Sequence, residues 1–392
     1  MLKNRLTKEQ IAIIAQQLQL NLADRKDDLK ISVKAATNDM LSDFNHDYQV
    51  ITDILVSLSK VDFDGTYENR KPKGKILIML SYNEPLVMCI DPIVSAIIAG
   101  NEVYVRPSSA SSDVLHAIWD TTFAAVPWLS ERLTIISTDH KTTLDLISSV
   151  QAVYFFGSQN VAEKIGAECS KHLVEFWPET EGSDFAIYSD DGPLKPEKFA
   201  EYVYTEAFSH SGQMCQRLQG IFVHRSKYEP LKKALQSLIS SVSTSDFNTP
   251  NTQQIKMREA YDQLLSSYPA ATYLPGKQVN MPSLVTDIPP DSSICQNAFF
   301  LPTLWLIPYD SDELLIDEIA RRPVQFGVNV WTPDRELVDS LAKYTRLTRI
   351  TVNTHHIDIR HDEGWGGSQP TSFGGNMRWS DKFSNKYNII DN

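Results

Sequence analysis

The chain has few cysteines: Cys89, Cys169, Cys215 and Cys295 are all there are in 392 residues, and no two form a CxxC pair. That spacing argues against a zinc knuckle or a disulfide framework, and reduced thiols in a cytoplasm are the expectation. No apolar run approaches the ~20 residues that span a bilayer, so no membrane span is expected. The start, Met1-Leu2-Lys3-Asn4-Arg5-Leu6, runs into polar helix rather than an apolar stretch, and no secretory leader is expected there. Positive charge is also short. Lys and Arg number 37 against 49 Asp and Glu, a net charge of −12 with no dense basic cluster, which excludes nucleic acid as an expected partner. Internal repeats, low-complexity tracts and the glycine fingerprint GxGxxG are missing as well. What remains is an ordinary globular composition, 42% hydrophobic and 22% charged, over a length that suits two or three domains.

The first seventy residues read as helical. Thr7-Lys8-Glu9-Gln10 has the form of a capping box, and Ile11, Ile13, Ile14, Leu18 and Leu20 follow at roughly helical spacing. A second helix suits residues 35–58. From Lys75 the character changes to short apolar runs alternating with helices. Strands are expected at 75–80, 102–105, 133–136 and 152–156, with a helix from Leu86 to Ala99 that stops at Gly100. A second alternating block starts near Asp184. It has strands at 184–188, 220–224, 300–307, 327–332 and 349–352, helices at 195–208, 228–241, 312–321 and 335–345, and a polar loop at 244–253. Strand–helix alternation on this scale predicts βαβ units and a mainly parallel sheet. The Gly-rich, aromatic stretch from Asn353 reads as a surface loop rather than a packed layer.

Several short segments carry chemistry. Ser211-Gly212-Gln213-Met214-Cys215 puts a thiol in a Gly-containing turn after a helix, near backbone amides that lower a thiol pKa and hold an oxyanion. The competing reading is a buried structural thiol. Asn83-Glu84-Pro85 ends a buried strand, where α/β proteins place ligand contacts, although Asn83 alone also suits a turn. Arg106-Pro107-Ser108-Ser109 ends the next strand with a cation and two hydroxyls. Phe156-Gly157-Ser158 ends a third and opens a helix whose N-terminus accepts phosphate. His355, His356, Asp358, His361 and Asp362 can be drawn as a metal site, but their spacing fits no standard ligand pattern, and a loop lining the substrate entrance is expected instead. Trp365 and Phe373 nearby suggest an aromatic wall for an apolar or ring-bearing substrate. The other three cysteines read as structural.

In this order the segments resemble the aldehyde dehydrogenase superfamily. Its motifs N-x-P, K-P-S-E, F-x-G-S, E-L-G-G, G-Q-x-C, E-x-F-x-P and P-F-G-G have counterparts in Asn83-Glu84-Pro85, Arg106-Pro107-Ser108-Ser109, Phe155-Phe156-Gly157-Ser158, Glu179-Thr180-Glu181-Gly182, Gly212-Gln213-Met214-Cys215, Asn297-Ala298-Phe299-Phe300-Leu301-Pro302 and Ser372-Phe373-Gly374-Gly375. Val352-Asn353-Thr354 is similar to its W-V-N strand, and the match covers residues 72–380. The resemblance implies an α/β two-domain fold. A Rossmann-like parallel-sheet cofactor domain would span 1–178, with 1–70 as a helical N-terminal part. An α/β catalytic domain would span 179–352, and 353–392 would return past the active site as a segment that in the family helps build a homodimer. It also implies oxidation of a small-molecule aldehyde to its acid, with Cys215 as nucleophile, the Asn83 amide and the Cys215 backbone N–H as oxyanion donors, and Glu179 as the water-activating base, with Glu175 and Glu181 as rivals.

The implied cofactor contacts are Ser81, Tyr82, Arg106, Ser108, Ser109, Gly157, Ser158 and Phe300, and the family uses no metal. Arg106 stands where the family has a ribose-binding lysine, and Ser109 where it has a glutamate that repels a 2′-phosphate. NADP is therefore expected over NAD. Ala298 replaces a glutamate that bonds the nicotinamide ribose. The chain is shorter than typical members, mainly before Lys71, a trimming that recurs in acyl-CoA reductases. A CoA-dependent acylating enzyme is thus one alternative, and a scaffold of this fold that binds without turning over is another.

Overall fold

The protein is described from a computed structural model covering residues 5–58, 66–67, 69–136, 139–356, 363–369, 371–372, 375 and 377–386. Two compact units divide the chain. One comprises Met1–Thr180, Arg360–Gly364 and Met377–Asn392, the other Glu181–Ile359 and Trp365–Asn376. Among the described residues no helix is long and apolar enough to cross a membrane.

In the first unit the helix Lys8–Asp24 opens with the expected capping box. Thr7 Oγ1 accepts from Gln10 N at 3.2 Å and Gln10 Oε1 accepts from Thr7 N at 2.9 Å. Ile11, Ile14 and Leu18 are buried, whereas Ile13 and Leu20 lie off that face and are exposed. The helix expected over 35–58 is two helices, Lys26–Thr37 and Leu41–Leu58. Asn38 separates them in the left-handed conformation (φ 65°), which asparagine tolerates better than most residues. The helix expected from Leu86 to Ala99 is also split, into Pro85–Met88 and Asp91–Ile98. Pro92 falls in the first turn of the second piece, the position a proline ring fits, and could not sit in the interior of a continuous helix.

Six strands follow: β1 (Arg70–Pro72), β2 (Lys75–Met79), β3 (Glu102–Arg106), β4 (Leu133–Ile135), β5 (Ala152–Phe156) and β6 (Glu175–Glu179). Five of them form a parallel sheet in the order β4-β3-β2-β5-β6, with Ile76 opposite Val103 on one side and Ala152 on the other. The chain steps outward from β2 through β3 to β4, then returns to the other side of β2 for β5 and β6. Strand order therefore reverses between β2 and β5. Ile76, Leu77, Ile78, Val103, Val105, Ala152 and Val153 are fully buried, as an apolar parallel sheet requires. Strand β6 escapes a sequence reading because Glu175-Phe176-Trp177-Pro178-Glu179 is charged at both ends and contains proline. It is an edge strand, where a residue with no N–H to donate is tolerated.

The second unit holds β7 (Asp184–Tyr188), β8 (Leu218–His224), β9 (Thr272–Leu274), β10 (Ser283–Thr286), β11 (Thr303–Tyr309), β12 (Gly327–Trp331) and β13 (Arg349–Val352). Their order is β13-β12-β7-β8-β11-β10-β9, parallel throughout except for the β9–β10 pair. Helices Pro196–Phe208, Arg225–Ser241, Asp312–Arg321 and Arg335–Tyr344 alternate with the strands. The helix Thr252–Leu265 and strands β9 and β10 were not expected, and the loop expected over 244–253 gives way to that helix at Thr252. The strand expected from Phe300 starts at Thr303, because Pro302 has no N–H to give a ladder; its carbonyl accepts from Ser283 N at 2.9 Å instead.

The C-terminal stretch corrects the surface-loop expectation. The helix Trp379–Phe383 buries Trp379 and Phe383, and β14 (Ser384–Lys386) pairs antiparallel with β1, Arg70 opposite Lys386. The chain thus has the α/β two-domain fold, its five-stranded sheet all parallel and its seven-stranded sheet mixed.

Candidate active site

Cys215 lies between the helix Pro196–Phe208 and β8, at the amino edge of the second unit's sheet. After Phe208 the backbone turns through three consecutive left-handed residues, His210 (φ 50°), Ser211 (φ 51°) and Gly212 (φ 75°). For the two that are not glycine this conformation costs ~1–3 kcal/mol each and persists only where the surroundings enforce it. The enforcement comes from Arg217, which is fully buried. Its Nε donates to Gly212 O at 2.6 Å, Nη1 to Thr303 O at 3.1 Å and Leu218 O at 3.2 Å, and Nη2 to Phe299 O at 2.5 Å. Burial pulls the Arg217 pKa down to about 9, which still leaves a cation at neutral pH.

Gln219 ties in two further segments, donating to Gly182 O at 2.7 Å and accepting from Phe299 N at 3.0 Å. Gly182 must be glycine for a steric reason: a Cβ there would collide with the Cys215 carbonyl oxygen. At Gly212 a Cβ would strike the Leu301 backbone. Two side chains therefore lock together the loop before β7, the Cys215 loop and the Phe299–Thr303 segment, where Phe300 is half-buried just ahead of β11.

Cys215 is half-buried, while Cys89, Cys169 and Cys295 are buried. Burial pushes the thiols of Cys169 and Cys295 up to about 12 and that of Cys89 higher still, so none of these three supplies thiolate near neutral pH.

In the first unit, most of the remaining candidates gather at the carboxyl ends of the strands. Ser81, Tyr82 and Asn83 follow β2, Arg106 ends β3 with Ser108 and Ser109 after it, Gly157 and Ser158 follow β5, and Glu179 ends β6. Open α/β sheets bind ligands in the crevice outside these ends, where strand order reverses, which here is between β2 and β5. The loops are cross-tied. Ser111 Oγ donates to Ser81 O at 3.2 Å and lies 2.7 Å from Ser108 Oγ, and Gly157 N donates to Glu179 O at 3.1 Å. Asn83 is mostly buried and precedes Glu84, which takes the left-handed conformation (φ 48°) as it enters the helix Pro85–Met88.

Burial and the nearby Asp39 charge push the Tyr82 phenol up to about 12, so it remains a hydrogen-bond donor at any working pH. Arg106 is half-buried, which lowers its pKa, and its Nη2 lies 3.4 Å from His140 Nδ1. Ser158 is the exposed N-cap residue of the 13-residue helix Gln159–Lys171 and makes no side-chain cap bond there. Strand ends at a point of order reversal, a helix N-terminus and a half-buried arginine fit a dinucleotide.

The three glutamates separate. Glu175 starts β6, at the opposite edge of the sheet from Ser81 and Gly157, and its Oε1 accepts from Lys73 Nζ at 2.5 Å and Trp177 Nε1 at 2.6 Å. Glu181 belongs to the second unit. Only Glu179 shares the carboxyl edge, where Lys382 Nζ donates to its Oε1 at 2.7 Å. Sequence reasoning missed Lys382 and Arg217, because a lone cation reads as solvated.

Of the His/Asp group, His356 does not line a surface loop. It is fully buried, with Nε2 2.8 Å from Asp184 Oδ2 and Nδ1 2.9 Å from Thr351 Oγ1. His355 Nδ1 lies 2.8 Å from Glu206 Oε1. Asp358, His361, Asp362 and Phe373 lie outside the described residues, and among the described residues no group of three His, Cys, Asp or Glu is placed to hold a metal.

Known proteins resemble this chain in sequence and in fold. Residues 9–389 match the family model described as the aldehyde dehydrogenase family. A 4,4'-diapolycopene-4,4'-dial dehydrogenase of Cytobacillus firmus is 27% identical over 320 residues, 78% of this chain and 68% of the relative. A 4,4'-diaponeurosporen-aldehyde dehydrogenase of Staphylococcus aureus is 26% identical over 69% of this chain and 60% of the relative. A benzaldehyde dehydrogenase of Bacillus subtilis is 23% identical over 79% and 67%. The chain thus matches about two thirds of the length of these curated relatives.

Solved structures with the same fold include a Mycobacterium tuberculosis aldehyde dehydrogenase complexed with NAD+ (TM-score 0.83, 19% identity, 97% of this chain and 84% of that one). Another is a Streptococcus pyogenes succinic semialdehyde dehydrogenase in complex with NADP+ (TM-score 0.86, 15% identity, 98% and 90%). With one family matched from residue 9 to residue 389 and its two-domain fold present, this chain belongs to the aldehyde dehydrogenase family.

Proposed function

We propose that the protein is an NAD(P)-dependent aldehyde dehydrogenase that oxidises an aldehyde to its acid through a covalent intermediate on Cys215. The observation carrying this reading is the Cys215 loop: the only half-exposed thiol of the four follows a strained turn that a buried arginine holds in place. The Cys215 thiolate adds to the aldehyde carbon, and the Asn83 amide and the Cys215 N–H stabilise the oxyanion of the resulting thiohemiacetal. A bound nicotinamide would supply the hydride acceptor, and Ser81, Tyr82, Arg106, Ser108, Ser109, Gly157, Ser158 and Phe300 are the residues that would hold it. Loss of hydride leaves a thioester on Cys215. Glu179 then takes a proton from water, the hydroxyl oxygen adds to the thioester carbonyl, the C–S bond breaks, and the acid leaves with Cys215 restored as thiolate.

Two finer points belong to the same reading. Arg106 with His140 beside it, and Ser109 in place of a carboxylate, favour the 2′-phosphate of NADP. The substrate class is an apolar conjugated or aromatic aldehyde, which is supported by the names of the polyene-aldehyde and benzaldehyde relatives.

The test is absorbance at the reduced-nicotinamide band for short, long and aromatic aldehydes, offered with NAD or NADP and with or without CoA. The expected result is a signal without CoA that Cys215→Ala abolishes. A signal only with CoA makes the protein an acylating enzyme, and no signal with no cofactor binding makes it a scaffold.

A further inference from the structure

Lys382 is 1% exposed, on a short tail helix whose Trp379 and Phe383 are also buried. A buried ammonium is tolerated only when paired, and here Nζ donates to Glu179 Oε1 at 2.7 Å and sits 5.5 Å from the centre of the Trp379 ring. Its position is fixed from several sides. The Tyr154 hydroxyl donates to Lys382 O, and Asn101 Nδ2 donates to Phe383 O at 3.0 Å. Trp379 Nε1 donates to Asp91 Oδ2 at 2.8 Å, and Arg70 bonds Ser380 O, Ser384 Oγ and Asp381. The Phe383 ring packs 4.5 Å from that of Tyr154. So many ties from residues 70, 91, 101 and 154 hold one short helix in one place, and the side chain that helix delivers to the carboxyl edge of the sheet is a cation.

We propose that Lys382 is a positioning residue for the hydrolytic step: the C-terminal tail brings an ammonium to Glu179 and keeps that carboxylate ionised and docked at the end of β6. The proposal rests on the reading of Glu179 as the water-activating base. Glu179 works as a base only while unprotonated, so the charge opposite it determines how far the pH can fall before hydrolysis stops. Burial lowers the Lys382 pKa and Glu179 opposes that lowering, as a coupled pair requires. Among the described residues, three nearby acidic groups have partners of their own. Glu175 is bonded to Lys73 at the far end of β6, Asp381 to Arg70, and Asp91 to Trp379. Burial, with the Glu175 charge, pushes the Tyr154 phenol well up, and burial does the same to Tyr67, so both stay neutral.

The experiment needs no nicotinamide. The full chain is acylated with 4-nitrophenyl acetate, and loss of the acetyl group from Cys215 is followed by intact-protein mass from about pH 5 to about pH 9. Wild type, K382M, K382R and E179Q are compared, with K382Q covering the case in which K382M does not fold. In K382M the acid limb of the hydrolysis rate should move up by about one to three pH units, because an opposite charge at this range favours the carboxylate by that much. K382R, which keeps the charge, should restore the limb towards the wild-type position. An unmoved limb in folded K382M or K382Q, with E179Q slow, overturns the role given to Lys382 and leaves Glu179 as the base. Hydrolysis in E179Q as fast as in wild type overturns the assignment of the base, and the role of Lys382 with it.

Discussion

Gly182→Ala isolates the geometry around the nucleophile with a single methyl group. Gly182 does not adopt a left-handed φ, so alanine brings no backbone penalty, and the whole effect is steric. The added Cβ meets the Cys215 carbonyl oxygen, which is backbone and cannot rotate away. Ordinary contact requires a retreat of about an ångström, and displacement of that size at a reacting group costs on the order of 100-fold in rate. The folded state should lose ~1–3 kcal/mol from overpacking, which is a melting shift of a few degrees for a unit of this size.

Gly375→Ala provides the contrast. Its φ is 53° and nothing lies within 4 Å of the added atom, so it bears conformational strain of ~1 kcal/mol without touching Cys215. Both variants are read by thermal unfolding and by the rate of Cys215 alkylation. G182A should slow alkylation strongly and G375A should leave it near wild type. Equal alkylation rates in all three proteins would refute the claim that the loop before β7 sets the position of Cys215.

Two further outcomes follow from the same geometry. Near neutral pH iodoacetamide should modify Cys215 first and leave Cys89, Cys169 and Cys295 intact until the protein unfolds, because burial holds those thiols protonated; peptide mapping of a partial reaction checks this, and early loss of Cys169 or Cys295 would contradict it. Arg106→Glu should move the ratio of NADP to NAD affinity towards NAD by at least about tenfold, ~1.4 kcal/mol, in a fluorescence titration; an unchanged ratio would remove Arg106 from 2′-phosphate recognition.

Much of the scaffold was legible because it is written in local pattern. Ile76-Leu77-Ile78 and Ala152-Val153-Tyr154 are continuous apolar runs, and buried parallel strands need that composition. Thr7 and Gln10 form their capping box within one turn, a spacing that sequence displays directly. The misses share a different cause, long-range partnership. Ser384–Lys386 becomes a strand only through residues 70–72, more than 300 positions away, and its own letters are polar. Strand β6 is hidden by Pro178 and two glutamates, which its edge position tolerates. Arg217 and Lys382 are invisible in the same way, because a buried cation is identified by the carbonyls or carboxylate that surround it. The motif residues of the first unit, from Ser81 to Ser158, fall where strand ends place them, and Glu179 is separated from Glu175 by the length of β6, a distinction that spacing alone could not make.

The most direct measurement is rapid acid quenching of the enzyme during turnover of an aromatic aldehyde with NADP, followed by intact mass and peptide mapping. The account predicts the acyl group on Cys215, formed without CoA, absent in Cys215→Ala and accumulating in Glu179→Gln. Steady reduction of the nicotinamide with no acylated Cys215 in either wild type or Glu179→Gln would contradict it.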